Sequence, residues 1–190
     1  TIRKMNKAIY AFQRKRNNFD LQKLLFTDYN FLFGMKFPFI VQLFKPYGML
    51  EFQPFIPRSA GVEAVEGLFE LFQSYGCEPF FCGVKAHKND NYMISFAGDG
   101  YSIGGAFQVR GRNLHNVSKF ARAVCDYTLE CGGKMLLSKD ELLFRDVFQK
   151  MYPRYNEFLK VKNRVDPIGL FSSDMYRRLL DPIGSIDSSK

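Results

Sequence analysis

The chain has 190 residues, of which 46% are hydrophobic and 24% charged. That is the composition of one large globular domain or two small ones, and it excludes intrinsic disorder, a collagen-like fibre and a low-complexity array. The net charge is +8, and no apolar run reaches the ~18 residues that a membrane-spanning helix needs.

The charge is uneven. Residues 1–50 hold nine Lys and Arg against Asp20 and Asp28, a net +7. Residues 51–133 hold seven against nine, and residues 134–190 eleven against eight. A basic end of this kind suits a solvated helix face, an anionic membrane surface, a phosphorylated substrate or nucleic acid. Aromatic residues interleave with the charges, but no RNP-like or zinc-finger signature accompanies them, so nucleic acid is not expected as a partner. Thr1-Ile2-Arg3-Lys4 begins no signal peptide, because no apolar stretch follows it. The chain does not begin with Met, which points to a processed or excised piece. Four cysteines at spacings of five and six fit neither a disulfide scaffold nor a zinc site. Buried reduced thiols and a cytoplasmic location, with peripheral contact to a membrane as an option, are expected.

Residues 2–16 read as a basic helix. Residues 20–33 show no clean period. Residues 35–44 fit a strand interrupted by Pro38, and Phe26, Phe31, Phe33, Phe37, Phe39 and Phe44 crowd this region. Such a run is either a strand buried on both faces or a surface that something else covers. Leu50-Glu51-Phe52-Gln53 alternates as a strand does and ends at Pro54 or Pro57. Ser59 is placed to cap a helix whose apolar positions are Val62, Val65, Leu68, Phe69 and Phe72, with Gly76 closing it. Pro79 to Ala86 reads as a strand, Tyr92 to Phe96 as a short one, and Tyr101 to Val109 as another, weakened by Gly104-Gly105. Glycine within a strand often marks close approach of a backbone or ligand. Asn113 begins a second helix, ended by Gly132-Gly133. A short strand covers Lys134 to Leu137. Ser138 and Glu141 have capping-box spacing for a helix reaching about Tyr152. Pro153 suits the first turn of the next helix, which runs to about Val165 and stops at Asp166-Pro167. Ser173 to Leu180 is a last short helix.

From Leu50 to Leu137 the order is strand, helix, strand, strand, helix, strand. That is the split βαβ arrangement. The fold class expected is α+β: a ferredoxin-like antiparallel sheet with both helices on one face, followed by a helical C-terminal segment.

No phosphate-binding loop, nucleophile elbow or HExxH motif is present, and Gly98-x-Gly100 lacks the rest of a dinucleotide fingerprint. Three polar residues stand out on spacing. Lys139 lies between a strand end and a predicted helix start, where an anion is favoured. Lys85 ends an apolar strand. Gln53 alternates with Phe52. Each has a plainer reading, as a first-turn lysine, a surface lysine and an edge-strand amide.

The C-terminal third adds to this. Gly133-Lys134-Met135-Leu136-Leu137-Ser138-Lys139-Asp140 is followed by Phe148-x-x-Met151-Tyr152-Pro153-Arg154-x-x-Glu157-Phe158. Then comes Arg164-Val165-Asp166-Pro167-x-x-x-Phe171-x-Ser173-Asp174-x-x-Arg177-Arg178. Together these resemble the C-terminus of FAD-linked oxidases of the vanillyl-alcohol oxidase type. Residues 47–130 add Phe52-Gln53-Pro54-Phe55-Ile56-Pro57 and Val84-Lys85 to the resemblance. It implies that residues 1–137 form a substrate-binding (cap) domain and 138–190 a segment packing on an FAD-binding domain that this chain lacks.

It also implies FAD as cofactor, with Lys139 as catalytic residue beside the flavin and Ser138 next to it. Gln53, Lys85, Phe81, Gly83, His87, Ser102 and Gly104 would line the substrate cleft. Ser102 and Gly104 stand where one sugar-oxidising branch has Asn and Cys, and Glu51 where it has Gln. The implied reaction is oxidation of a secondary alcohol on a sugar or lipid-linked sugar. A flavin-dependent lipid or sterol double-bond reductase of the same superfamily is the alternative within that class. Outside it stands a free-standing ferredoxin-like binding module. The flavoenzyme reading predicts exposed hydrophobic surface on the isolated chain, and the binding module predicts steep salt dependence of binding.

Overall fold

The computed structural model describes residues 48–181, except 80, 109–113 and 140–141, and a few isolated positions before them. The side chains of Phe81, Leu114 and His115 are outside that description. The helix expected over 2–16, the strand over 35–44 and the Asn113 cap fall outside it as well. Met49–Lys190 is a unit of its own.

The described residues of this unit form ten strands and α-helices. β1 is Met49–Phe52, β2 Pro54–Pro57, α1 Gly61–Ser74, β3 Phe81–His87 and β4 Gly100–Gln108. α2 is Leu114–Glu130, β5 Lys134–Met135, α3 Arg145–Met151, α4 Tyr155–Val165 and α5 Asp174–Leu179. All pairings are antiparallel, and β4 is central: β1 and β2 pair along one side of it and β3 along the other, with β5 beyond β2. β1 and β2 keep one register against β4, with Phe52 opposite Gly105 and Phe55 opposite Ser102. They act as one strand, interrupted in its ladder at Gln53. The strand order is then β5, β1/β2, β4, β3, which is the expected ferredoxin-like sheet with α1 and α2 as its crossovers.

Alternation along the strands divides the sheet into two faces. One face carries Phe52, Ile56, Ile103, Phe107 and Met135, all buried. They meet Leu68 and Phe72 of α1 and Phe120, Ala121 and Val124 of α2 in a single core. Rings of Phe52, Phe72, Phe107 and Phe120 touch edge-on at 5.1–5.8 Å. Edge-to-face contacts of this kind add to the burial of large rings, and they account for part of the phenylalanine excess. The same core takes in Leu143, Val147, Phe148, Met151, Tyr152, Leu179 and Leu180. Arg145 ties α3 to α5 by donating to the carbonyls of Arg177 and Arg178 at 2.8 and 3.0 Å.

Some local signals misled. Tyr92 to Phe96 is a loop, not a strand; Asp90 accepts from Tyr92 N and from Ser95 Oγ and folds it into turns. Ser59 lies in a 3-10 turn over Arg58–Ala60, and α1 begins after it with no side-chain cap. Ser138 also lies in a 3-10 turn, Leu137–Lys139, and the helix starts only at Arg145. Pro153 sits in the turn before α4 rather than in its first turn. Ser173 caps α5 as the sequence suggests, accepting from Tyr176 N at 3.1 Å.

Candidate functional site

The second face of the sheet gathers the residues singled out in the sequence. Register places Glu51 opposite Ala106, Phe55 opposite Ser102, Lys85 opposite Ser102, and Gly83 opposite Gly104. Phe81 pairs with Ala106 and His87 with Gly100. Gln53 keeps the parity of Glu51 and Phe55, so it shares their face. One strand therefore sends Phe52 and Ile56 to the core, and Glu51, Gln53 and Phe55 to the site.

Small residues floor the middle of this face. Gly83, Gly104 and Ala106 lie side by side across β3 and β4. A Cβ added at Gly104 would meet nothing nearer than Gln53 Oε1 at 3.4 Å. At the neighbouring Gly105, on the core face, it would run into the Phe107 ring at 2.8 Å. Gly105 is bare because the core is full. Gly104 is bare beneath the Gln53 side chain, with room for a methyl group.

A buried polar chain borders this hollow. Gln53 is 3% exposed and Ser102 fully buried. Gln53 Nε2 donates to Ser102 Oγ at 3.0 Å, and Ser102 Oγ lies 2.8 Å from His87 Nε2. The His87 ring contacts Phe55 and Phe96 edge-on, with centroids 6.0 and 5.3 Å away. Burial and then the nearby Lys85 ammonium hold the His87 pKa below its ordinary value, so the ring is neutral at pH 7. Lys85 itself is exposed on the edge strand.

At the other side Lys139 Nζ meets Glu51 Oε1 at 2.6 Å, with the two side chains 30% and 36% exposed. Lys139 therefore reaches the site from a 3-10 turn and not, as the sequence suggested, from a helix N-terminus. Ser138 beside it is exposed. Glu51, noted in the sequence only as a departure from a relative, is the carboxylate that the described strands present on this face. Only tertiary pairing shows its partner, 88 positions away. Lys134 on β5 donates to Ser95 O at 2.9 Å and lies over the Tyr152 ring. Its pKa is lowered, by burial against the raising effect of Asp90.

A shallow open groove of about 530 Å³ lies elsewhere, along the outer side of α2 between Tyr75 and Phe144. It contains none of the residues above. Among the described residues no group of His, Cys, Asp and Glu is arranged to hold a metal, and no helix is long and apolar enough to cross a membrane.

The antiparallel sheet with both helices on one face is the arrangement that the order of elements implied. The chain belongs to the D-arabinono-1,4-lactone oxidase family of FAD-linked oxidases, which matches it over residues 56–179. It is also 32% identical over 133 residues to decaprenylphosphoryl-beta-D-ribose oxidase of Mycolicibacterium smegmatis. That match covers 70% of this chain and 28% of the relative, so the chain spans little more than a quarter of that protein's length.

Proposed function

We propose that this chain is the substrate-binding part and C-terminal return segment of an FAD-dependent oxidoreductase. Its substrate is a secondary alcohol of a sugar or of a lipid-linked sugar. The observation that carries this is the second sheet face, where the Lys139–Glu51 pair and the Gln53–Ser102–His87 chain flank a floor of Gly83, Gly104 and Ala106. Such a floor accepts a planar ring or a sugar at close range, and the chemistry of its rim suits both. Lys139 and Ser138 would hold the flavin, and Gln53, Lys85, His87, Ser102, Gly104 and Phe81 the substrate. FAD, when bound, supplies the hydride acceptor. The Lys139 ammonium stabilises negative charge that develops beside it, a fixed electrostatic contribution that costs no reorganisation. The Gln53 amide and the Lys85 ammonium orient hydroxyl groups. Glu51, held by Lys139, is the carboxylate on this face that would accept the hydroxyl proton.

In this reading residues 1–137 form the cap domain and 138–190 return to an FAD-binding domain, which is the partner. A loop supports that docking. Val165, Ile168, Leu170 and Phe171 all stand exposed on a turn stiffened by Asp166, which accepts from Leu170 N at 2.8 Å, Phe171 N at 3.0 Å and the Lys162 ammonium. Rigidly held apolar projections mark an interface more than a solvated surface. A lipid-linked substrate also suits the basic residues 1–50, which would meet an anionic membrane surface.

The test is anaerobic reduction of the complete flavoprotein by D-arabinose and D-ribose, followed by loss of the oxidised flavin absorbance. Bleaching that slows in Lys139→Met is expected. A complete protein that folds but carries no flavin refutes the proposal.

A further inference from the structure

The Gln53, Ser102 and His87 chain has a direction, and the direction decides what the hollow offers a ligand. Ser102 Oγ has one hydrogen and is fully buried. It already accepts from Gln53 Nε2, and its own hydrogen finds an acceptor in His87 Nε2, 2.8 Å away, when that nitrogen is the unprotonated one. One of the two Nε2 hydrogens goes to Ser102, and this fixes which way the amide faces. Gln53 Oε1 is the atom that stands over Gly104. In the neutral state the hollow is thus lined by a hydrogen-bond acceptor, which fits a ligand hydroxyl that donates.

We propose that His87 is a positioning residue that sets the polarity of the hollow through Ser102 and Gln53, and that protonating it inverts that polarity. A proton taken from solvent at Nε2 makes His87 a donor to Ser102 Oγ. The serine hydrogen must then turn to Gln53, and it can do so only toward Oε1. The amide rotates, and Nε2 faces the hollow. An acceptor has become a donor with one proton gained at His87 and none lost elsewhere. No backbone movement is needed, because only a hydroxyl rotor and an amide turn.

Several charged groups surround the ring. Lys85 on β3 opposes a second positive charge and favours the neutral state. The loop that lays Phe96 on His87 carries Asp90, which is bound to Ser95 and Tyr92 N. It also carries Asp99, paired with Arg58, and the exposed Lys88. Lys134 reaches the same loop from β5. Phe55 of β2 and Ser102 of β4 bring no charge. The inversion therefore belongs to mildly acid solution, below the ordinary histidine range.

This inference rests on the reading of the second face as the ligand site, but its first test does not. Nitrogen NMR of the intact protein, with the His87 signal assigned by its loss in His87→Phe, reads the tautomer directly. At pH 7.5 an unprotonated Nε2 and a protonated Nδ1 are expected. The Gln53 side-chain amide signals should shift with the same midpoint as His87, and should lose that midpoint in His87→Phe and in Ser102→Ala. A protonated Nε2 at pH 7.5, or Gln53 signals indifferent to His87, overturns the proposal.

The second measurement is the pH profile of flavin reduction by D-arabinose in the complete protein. An acid limb at the His87 midpoint, expressed mainly in KM and absent from His87→Phe, supports it. Coupled NMR midpoints with no such limb leave the relay intact and overturn its role toward a ligand. Absence of any flavin reduction at all, with the NMR coupling present, locates the failure in the reading of the face instead.

Discussion

Replacing Lys139 with methionine separates the two roles that its ion pair with Glu51 can have. The contact is short, 2.6 Å, but the partners are 30% and 36% exposed. At that exposure solvent screens the attraction, and ordering two flexible side chains offsets much of what remains. Pairs of this kind contribute roughly 0.2–1 kcal/mol. Methionine keeps the apolar stem that Lys139 packs, so the loss of stability stays within about 1 kcal/mol, or a melting temperature lowered by about 2–4 °C. The effect on chemistry is of another size. Removing one preorganised group aimed at developing charge costs on the order of 10²–10³ in rate. The assay is a pair of measurements on the complete flavoprotein: thermal unfolding by circular dichroism, and anaerobic stopped-flow reduction of the flavin. A small thermal loss with a rate lowered at least ~100-fold, which is about 2.7 kcal/mol, is expected. A melting temperature that falls by more than about 10 °C while folded molecules are reduced at the original rate would refute the reasoning, since the pair would then be structural.

Four further outcomes follow from the structure. Gly133→Ala places a Cβ 2.1 Å from Phe55 O and 2.9 Å from Thr128 O, so backbone must move and about 1–3 kcal/mol or more is lost in urea unfolding. Gly104→Ala meets only ordinary contact at 3.4 Å, so stability changes by less than ~0.5 kcal/mol while flavin reduction by substrate slows. Tyr152→Phe removes the donor that satisfies the Met135 carbonyl at 2.6 Å. A buried acceptor left unmade costs about 1–3 kcal/mol, seen as a lower urea midpoint at unchanged slope. The last outcome concerns pH. The His87 pKa lies below its ordinary 6.5, so the unfolded chain binds that proton first. The stability this contributes is complete above about pH 6.5 and declines as pH falls toward the folded value. Denaturation midpoints measured from pH 7.5 to 5.5 should show that decline in the wild type and a shallower one in His87→Phe.

The sheet was legible because its strands obey simple rules. Leu50 to Gln53 alternate, and the helices around Leu68 and Phe120 carry apolar residues at helical spacing, so the order of elements alone implies an antiparallel sheet with both helices on one face. The 138–152 stretch misled because Ser138 and Glu141 have the spacing of a capping box, whereas the chain keeps a 3-10 turn there and holds Lys139 against Glu51. A local signal was outweighed by a contact 88 residues away. The same limit hid the centre of the site. A family likeness points to His87 and Ser102 one by one, but nothing in their spacing says that they touch. That follows from the β3–β4 register, which sets Lys85 opposite Ser102 and His87 opposite Gly100, and register is a property of two strands at once.

The unbroken register through Gln53 has a consequence for how this protein can change. Core and site alternate along residues 51 to 56, one position apart. With this face as the ligand site proposed above, a substitution at Glu51 or Gln53 retunes what it accepts while Phe52 and Ile56 go on holding the fold. A single inserted or deleted residue between them has no such freedom, because it would exchange the two faces and send the amide into the phenylalanine cluster and a phenyl ring into the hollow. On that proposal, differences in substrate preference lie in the side chains of this strand, and its length stays fixed.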